Sequence, residues 1–196
     1  TFSGASFFGW DSILGPSNTS AVWSSIQTLP FNFTFNGQAY NQYLVSSSGI
    51  VTFDILTSLP APGYTRAALP NAAIPDNSVC IWGLNSKGFN DEVYTKTFGN
   101  SPNRQVWIQF NSFGYGNTIS DGSNSAFWSI VLEETSNNIY LVDMRTVGFT
   151  GAKLVSAGIQ IDNSTAISVL GSPNLVALAG SGNATNDNSF YQFTEG

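Results

Sequence analysis

The chain has 196 residues and a net charge of −6 from six Lys+Arg and twelve Asp+Glu, with charged residues at 9%, hydrophobic residues at 42% and aromatics at 14%. So much apolar content excludes a solvated disordered chain, six cations are too few to neutralise a phosphate backbone, and the length suits one β-sandwich core, so a single domain over 1–196 is expected and nucleic acid is not a partner. With no histidine and one cysteine, Ser-His-Asp and Cys-His nucleophilic sites and zinc sites built from those residues are also excluded.

The predicted elements begin at residues 1–10, where Phe7, Phe8 and Trp10 mark a short aromatic segment suited to a sheet edge. Phe31-Asn32-Phe33-Thr34-Phe35 alternates strictly and sets three rings on one face, and Asn36-Gly37 then turns the chain back as a hairpin dipeptide. Residues 43–46, a Ser-Ser-Gly turn ending at Gly49, and residues 50–53 form the next strand pair. Pro60, Pro62, Pro70 and Pro75 each remove a backbone donor, so residues 59–75 are predicted to be a crossing loop. Residues 79–82 return to the core and carry Cys80 inside it as a small apolar residue with no cation nearby to lower its pKa.

Residues 93–98 and 104–112 are predicted as a hairpin around the turn 99–103. In its second arm Val106, Ile108 and Phe110 face the core while Gln105, Trp107, Gln109 and Asn111 face outward. After a Gly/Asn/Ser loop at 114–125, residues 126–134 and 139–146 form a third hairpin, with Trp128 in the core. Strands at 157–161, 166–170 and 175–179 follow, and the aromatic segment 189–193, with Phe190, Tyr191 and Phe193, ends the series. No window has the 3.6-residue period of a long helix. About ten strands are too many for one flat sheet, so the expected fold is all-β, a two-sheet antiparallel β-sandwich of jelly-roll type. The end segments 1–10 and 189–193 either close its edges or exchange with another subunit.

Polar surface built from Ser, Thr, Asn and Gln rather than charge suits an extracellular or tightly assembling protein. No run of eighteen apolar residues and no n-region with an h-region occurs, so no membrane span or attached signal peptide is expected, as in a product already processed. Glu133-Glu134 is the obvious pair of acids, but neighbours on a strand point to opposite faces, whereas a glycosidase needs two carboxyls roughly 5–10 Å apart across one sugar bond. Asp91-Glu92 has the same defect. Asp121-Gly122-Ser123-Asn124 is a fragment of a calcium loop without its spaced acids, and an intramolecular Lys-Asn crosslink would need one of Lys87, Lys96 or Lys153 buried beside an acid. No enzyme, cofactor or metal is therefore expected. The acceptor patterns at Asn18, Asn32, Asn163 and Asn183 arise readily by chance in so Asn/Ser/Thr-rich a chain, and no glycan is assigned to them. An outward Trp107 among amides is the feature that points to binding. With Gln105, Gln109, Tyr115 and Asn117 it forms a candidate platform for a sugar or an anchor for another subunit.

The order of segments resembles the nidogen-like β-sandwich modules of secreted bacterial surface proteins, especially those exported by the type IX system of Bacteroidetes. The stretches that carry the likeness are Leu29-Pro30-Phe31-Asn32-Phe33-Thr34-Phe35-Asn36-Gly37, Val45-Ser46-Ser47-Ser48-Gly49-Ile50-Val51-Thr52-Phe53, Leu69-Pro70 and Val79-Cys80-Ile81-Trp82. Ser101-Pro102-Asn103-Arg104, the 133–140 hairpin and Ala157-Gly158-Ile159-Gln160 continue it. The resemblance implies a secreted structural or adhesive module with no catalytic residues. Ser48 departs from the Asn common before the turn Gly, and Gly83-Leu84-Asn85 from an acidic pair after the Trp. The expected function is an extracellular surface module that assembles into filaments or layers with copies of itself or with other surface proteins; the alternative is a carbohydrate-binding module.

Overall fold

A computed structural model describes residues 9–16, 20–86, 90–116, 125–148, 151–178 and 189–195. Among them lie fourteen strands and no helix, in two antiparallel sheets of seven. The first sheet runs, side by side, β1 (Asp11–Leu14), β7 (Glu92–Phe98), β8 (Gln105–Tyr115), β9 (Ser125–Glu133), β10 (Ile139–Val147) and β14 (Ser189–Phe193), with β6 (Leu84–Asn85) against β8. The second runs β12 (Thr165–Ser168), β11 (Leu154–Asp162), β5 (Ser78–Trp82), β4 (Ile50–Thr52), β3 (Gln38–Ser46) and β2 (Gln27–Phe35), with β13 (Leu175–Val176) against β11. The two-sheet sandwich is the expected one. β1 and β6, of four and two residues, are additions to the expected strands, and the strands expected at 166–170 and 175–179 are shortened to β12 and β13.

Alternation explains the core. In β2, Leu29, Phe31, Phe33 and Phe35 are buried and the residues between them are not, so the Phe31–Phe35 pattern does place its rings on one face. Phe33 and Phe35 meet Phe53 from the turn after β4 at centroid distances of 5.5 and 5.3 Å, and Tyr40 of β3 meets it at 5.2 Å. Facing them from the first sheet are Ile108, Phe110, Trp128, Ile130, Leu132 and Leu141, all fully buried in the same cluster. Removing one such large side chain typically costs about 2–5 kcal/mol. Asn36 and Gly37 have φ of 49° and 72°, the pair of positive values that a two-residue type I′ hairpin requires.

The proline-rich segment crosses the outer face of the second sheet instead of joining a sheet. Ile74, Ala67 and Leu69 from it pack on Ile50, Cys80 and Trp82, and backbone carbonyls of the loop take the indole N–H groups: Trp82 Nε1 donates to Gly63 O at 2.7 Å and Trp23 Nε1 to Leu59 O at 3.2 Å. Gln160 anchors it from below, donating to Asn71 O and Ile74 O at 3.1 and 2.9 Å and accepting from Asn71 N at 2.7 Å. Every residue of β5 is buried, because core lies on one side of it and this loop on the other. Cys80 is accordingly a fully buried thiol, and burial pushes its pKa up.

Candidate functional site

On the first sheet the residues that alternate with the core form rows across its outer face. One row is Lys96, Trp107, Val131, Tyr140 and Gln192; its neighbours are Tyr94, Gln109, Ser129, Val142 and Phe190 on one side, and Phe98, Gln105 and Glu133 on the other. Trp107 is half-buried on that face as expected and donates its Nε1 to Gln105 Oε1 at 3.1 Å. Its ring meets Phe98 edge-on at 6.2 Å, and Phe98 meets Trp10 in the same manner at 5.5 Å, with Lys96 Nζ 5.4 Å from the Phe98 centroid. Phe98 is 41% exposed, so the run Trp10, Phe98, Trp107 presents rings to solvent at one corner of the sheet. Gln105 Nε2 continues it by donating to Glu133 Oε1 at 2.8 Å.

Two members of the anticipated platform are buried. Gln109 is on the outer face but only 3% exposed, crowded at the sheet's centre, where its Oε1 accepts from Ser129 Oγ at 3.0 Å. Tyr115 is in the core. β8 runs on past residue 112, and a register shift between Phe110 and Phe113, with Ser112 at φ 64°, turns Phe113 and Tyr115 inward. There the Tyr115 hydroxyl lies 2.7 Å from Thr146 Oγ1 and accepts from Trp128 Nε1 at 2.9 Å, and burial raises its pKa. Asn117, Phe7, Phe8, Lys87 and the loop 121–124 lie outside the described residues. Trp10 sits on Phe98, while Phe190, Tyr191 and Phe193 belong to β14, docked on β10 of the same chain.

The acids have structural partners. Glu134 grips Arg104 through Nη2 at 2.6 Å and Nε at 2.8 Å and accepts its backbone N–H at 3.1 Å, and the guanidinium holds this carboxyl down to about 2. Glu133 accepts from Ser136 Oγ at 2.6 Å, and from Asn138, Tyr140 and Gln105, which lower its pKa. Asp91 accepts from Ser86 Oγ, and Glu92 from Ser12 Oγ and from Tyr94 OH, the last at 2.6 Å. Among the described residues no group of three or more His, Cys, Asp and Glu is placed to hold a metal ion.

One acid was missed. Asp143 shares the inward side of β10 with Ile139 and Leu141, and the alternation Ile139, Leu141, Asp143 was the signal that a charge would be buried. It is 1% exposed; Oδ2 accepts the Leu178 N–H at 2.6 Å and Oδ1 has no hydrogen-bond partner. Burial pushes its pKa up to about 7, against the opposing pull of the Leu178 amide and of the Lys153 charge. Lys153 is half-buried rather than enclosed, so the setting that a crosslinking lysine needs is incomplete.

A family model described as NIDO related matches residues 12–195, a span that takes in both sheets. No curated protein and no solved structure matches the chain.

Proposed function

The chain belongs to the NIDO-related family, whose domains are typically extracellular modules, and from that premise we propose that it is a non-catalytic adhesive module that holds glycans on the outer face of its first sheet. The observation that carries this reading is the half-exposed run Trp10, Phe98, Trp107 beside Gln105 and Glu133. Ring faces stack on the apolar faces of sugars, while amides and carboxylates bond their hydroxyls. The two sheets differ in a way that supports the choice of side: a loop buries the outer face of the second, while that of the first keeps exposed rings. A non-catalytic role is supported by Glu134, whose carboxylate is taken up by Arg104 and leaves Glu133 without a free acid partner.

The reading is tested by screening the protein on a glycan array and titrating the best ligand into wild type, Trp107→Ala and Phe98→Ala. Each substitution is expected to weaken binding at least tenfold, about 1.4 kcal/mol or more, with little change in melting temperature for the exposed Phe98. An array without binders, or affinities untouched by both substitutions, would overturn it. Exchange of the 189–193 segment between subunits loses support, since β14 is docked on its own sheet; of the segment 1–10, residues 1–8 lie outside the described residues.

A further inference from the structure

We propose that two copies of this chain join edge to edge through β14, antiparallel about a two-fold axis at Tyr191, so that their first sheets continue as one. This goes beyond the glycan reading and does not depend on it.

An edge strand offers unpaired N–H and C=O groups to any other strand, and proteins that stay monomeric blunt their edges with charge, proline, bulges or shortness. Three of the four edges here are blunted. β1 has four residues, begins at Asp11 and is broken by a register shift between Ser12 and Leu14. β2 contains Pro30, loses register between Thr28 and Phe33, and has its Thr34 N–H taken by Asn137 Oδ1 at 2.8 Å. β12 has four residues and follows a register shift between Gln160 and Asp162. β14 is different. Ser189-Phe190-Tyr191-Gln192-Phe193 has no charge and no proline, and all five residues pair in unbroken register with β10, from Asp143↔Ser189 to Ile139↔Phe193. Among the described residues no strand lies on its other side.

The strand also complements itself. Pairing about Tyr191 sets Ser189 opposite Phe193 of the second copy on the inner face, small against large, and Phe190 opposite Gln192 on the outer face. Phe190, 62% exposed and in T-shaped contact with Tyr140 at 5.9 Å, would then gain a neighbour on its open side. A cleft of about 490 Å³, lined in part by Ile139, Ile159, Ile161, Ile167 and Phe193 together with Asn137 and Glu195, opens beside the same edge and adds to the surface available to the second copy.

Sedimentation equilibrium over a wide concentration range tests this with three proteins. Wild type is expected to dimerise. Phe190→Lys with Gln192→Lys, both at exposed positions, sets lysine against lysine at two places and should weaken the dimer at least tenfold. Phe190→Lys with Gln192→Glu sets lysine against glutamate in the same register and should restore it. Hydrogen exchange of the wild-type amides in residues 189–193 should slow as concentration rises, a readout that stands if a variant folds poorly. A wild type that stays monomeric with unchanged exchange at β14, or a dimer indifferent to the double-lysine variant, overturns the proposal.

Discussion

Gly49→Ala will destabilise the domain by an amount on the order of 4 kcal/mol, a large share of the roughly 5–15 kcal/mol that holds a domain of ordinary stability together. Gly49 closes the turn between β3 and β4 at φ +92°, which costs an L side chain about 1–2 kcal/mol. The larger part is steric. An added Cβ would fall inside the contact distance of the Ile81 carbonyl oxygen and lie 3.0 Å from its carbon and 3.2 Å from Cγ1. That carbonyl is main chain within β5 and cannot swing aside, because Ile81 N is itself bonded to Gly49 O at 2.8 Å. Relief must therefore come from parting β4 and β5, the strands on which the covering loop rests. Gly37→Ala is the control: its φ is +72° but nothing lies within 4 Å, so it should cost only about 1–2 kcal/mol. Urea unfolding followed by tryptophan fluorescence measures both. Equal losses at the two positions would show that the close approach to Ile81 is not what Gly49 is for.

Features written locally in the chain were legible, and those set by neighbours were not. Phe31–Phe35 and Asn36-Gly37 announce a half-buried strand and its turn because side-chain period and positive φ are local properties. The prolines of the crossing segment announce that it leaves the sheets, although not that it roofs one of them and closes over Cys80. Trp107 was placed on the correct face by the alternation of β8. Tyr115 falls within the loop expected at 114–125, whereas β8 runs on to it and the register shift at Phe110–Phe113 turns it into the core. Gln109 has the outward direction expected of it, but its burial is decided by Ser129 on the adjoining strand, and pairing between strands is invisible in one strand's pattern. Residues 189–193 were expected at an edge and form β14, whereas β1 falls just past the aromatic segment 1–10 expected at the other edge; only the pairing shows that β1 and β14 close the same sheet.

Asp143 should make the protein lose stability as pH rises from about 4 to about 7, the reverse of the usual behaviour of a carboxylate in a fold. Its ordinary pKa of 3.8 is pushed up to about 7 by burial. Between those values the native chain holds a proton that the unfolded chain has released, so raising the pH favours unfolding; this contribution is fully present below about pH 4 and gone above about pH 7. A shift of about three units is worth on the order of 4 kcal/mol. Glu134, held down to about 2 by Arg104, acts in the opposite sense, contributing stability above its ordinary 4.5 and losing it as pH falls toward 2. The two limbs place the stability maximum near pH 4–5. Urea midpoints measured from pH 3 to 8 on wild type, Asp143→Asn and Glu134→Gln separate them. The carboxamide oxygen introduced by Asp143→Asn can still accept the Leu178 N–H, so this substitution should flatten the limb above pH 4 and leave the acid limb intact, and Glu134→Gln should do the converse. Parallel curves for wild type and Asp143→Asn above pH 4 would mean that Asp143 ionises as readily inside the fold as outside it, and that water or Lys153 reaches its unbonded Oδ1.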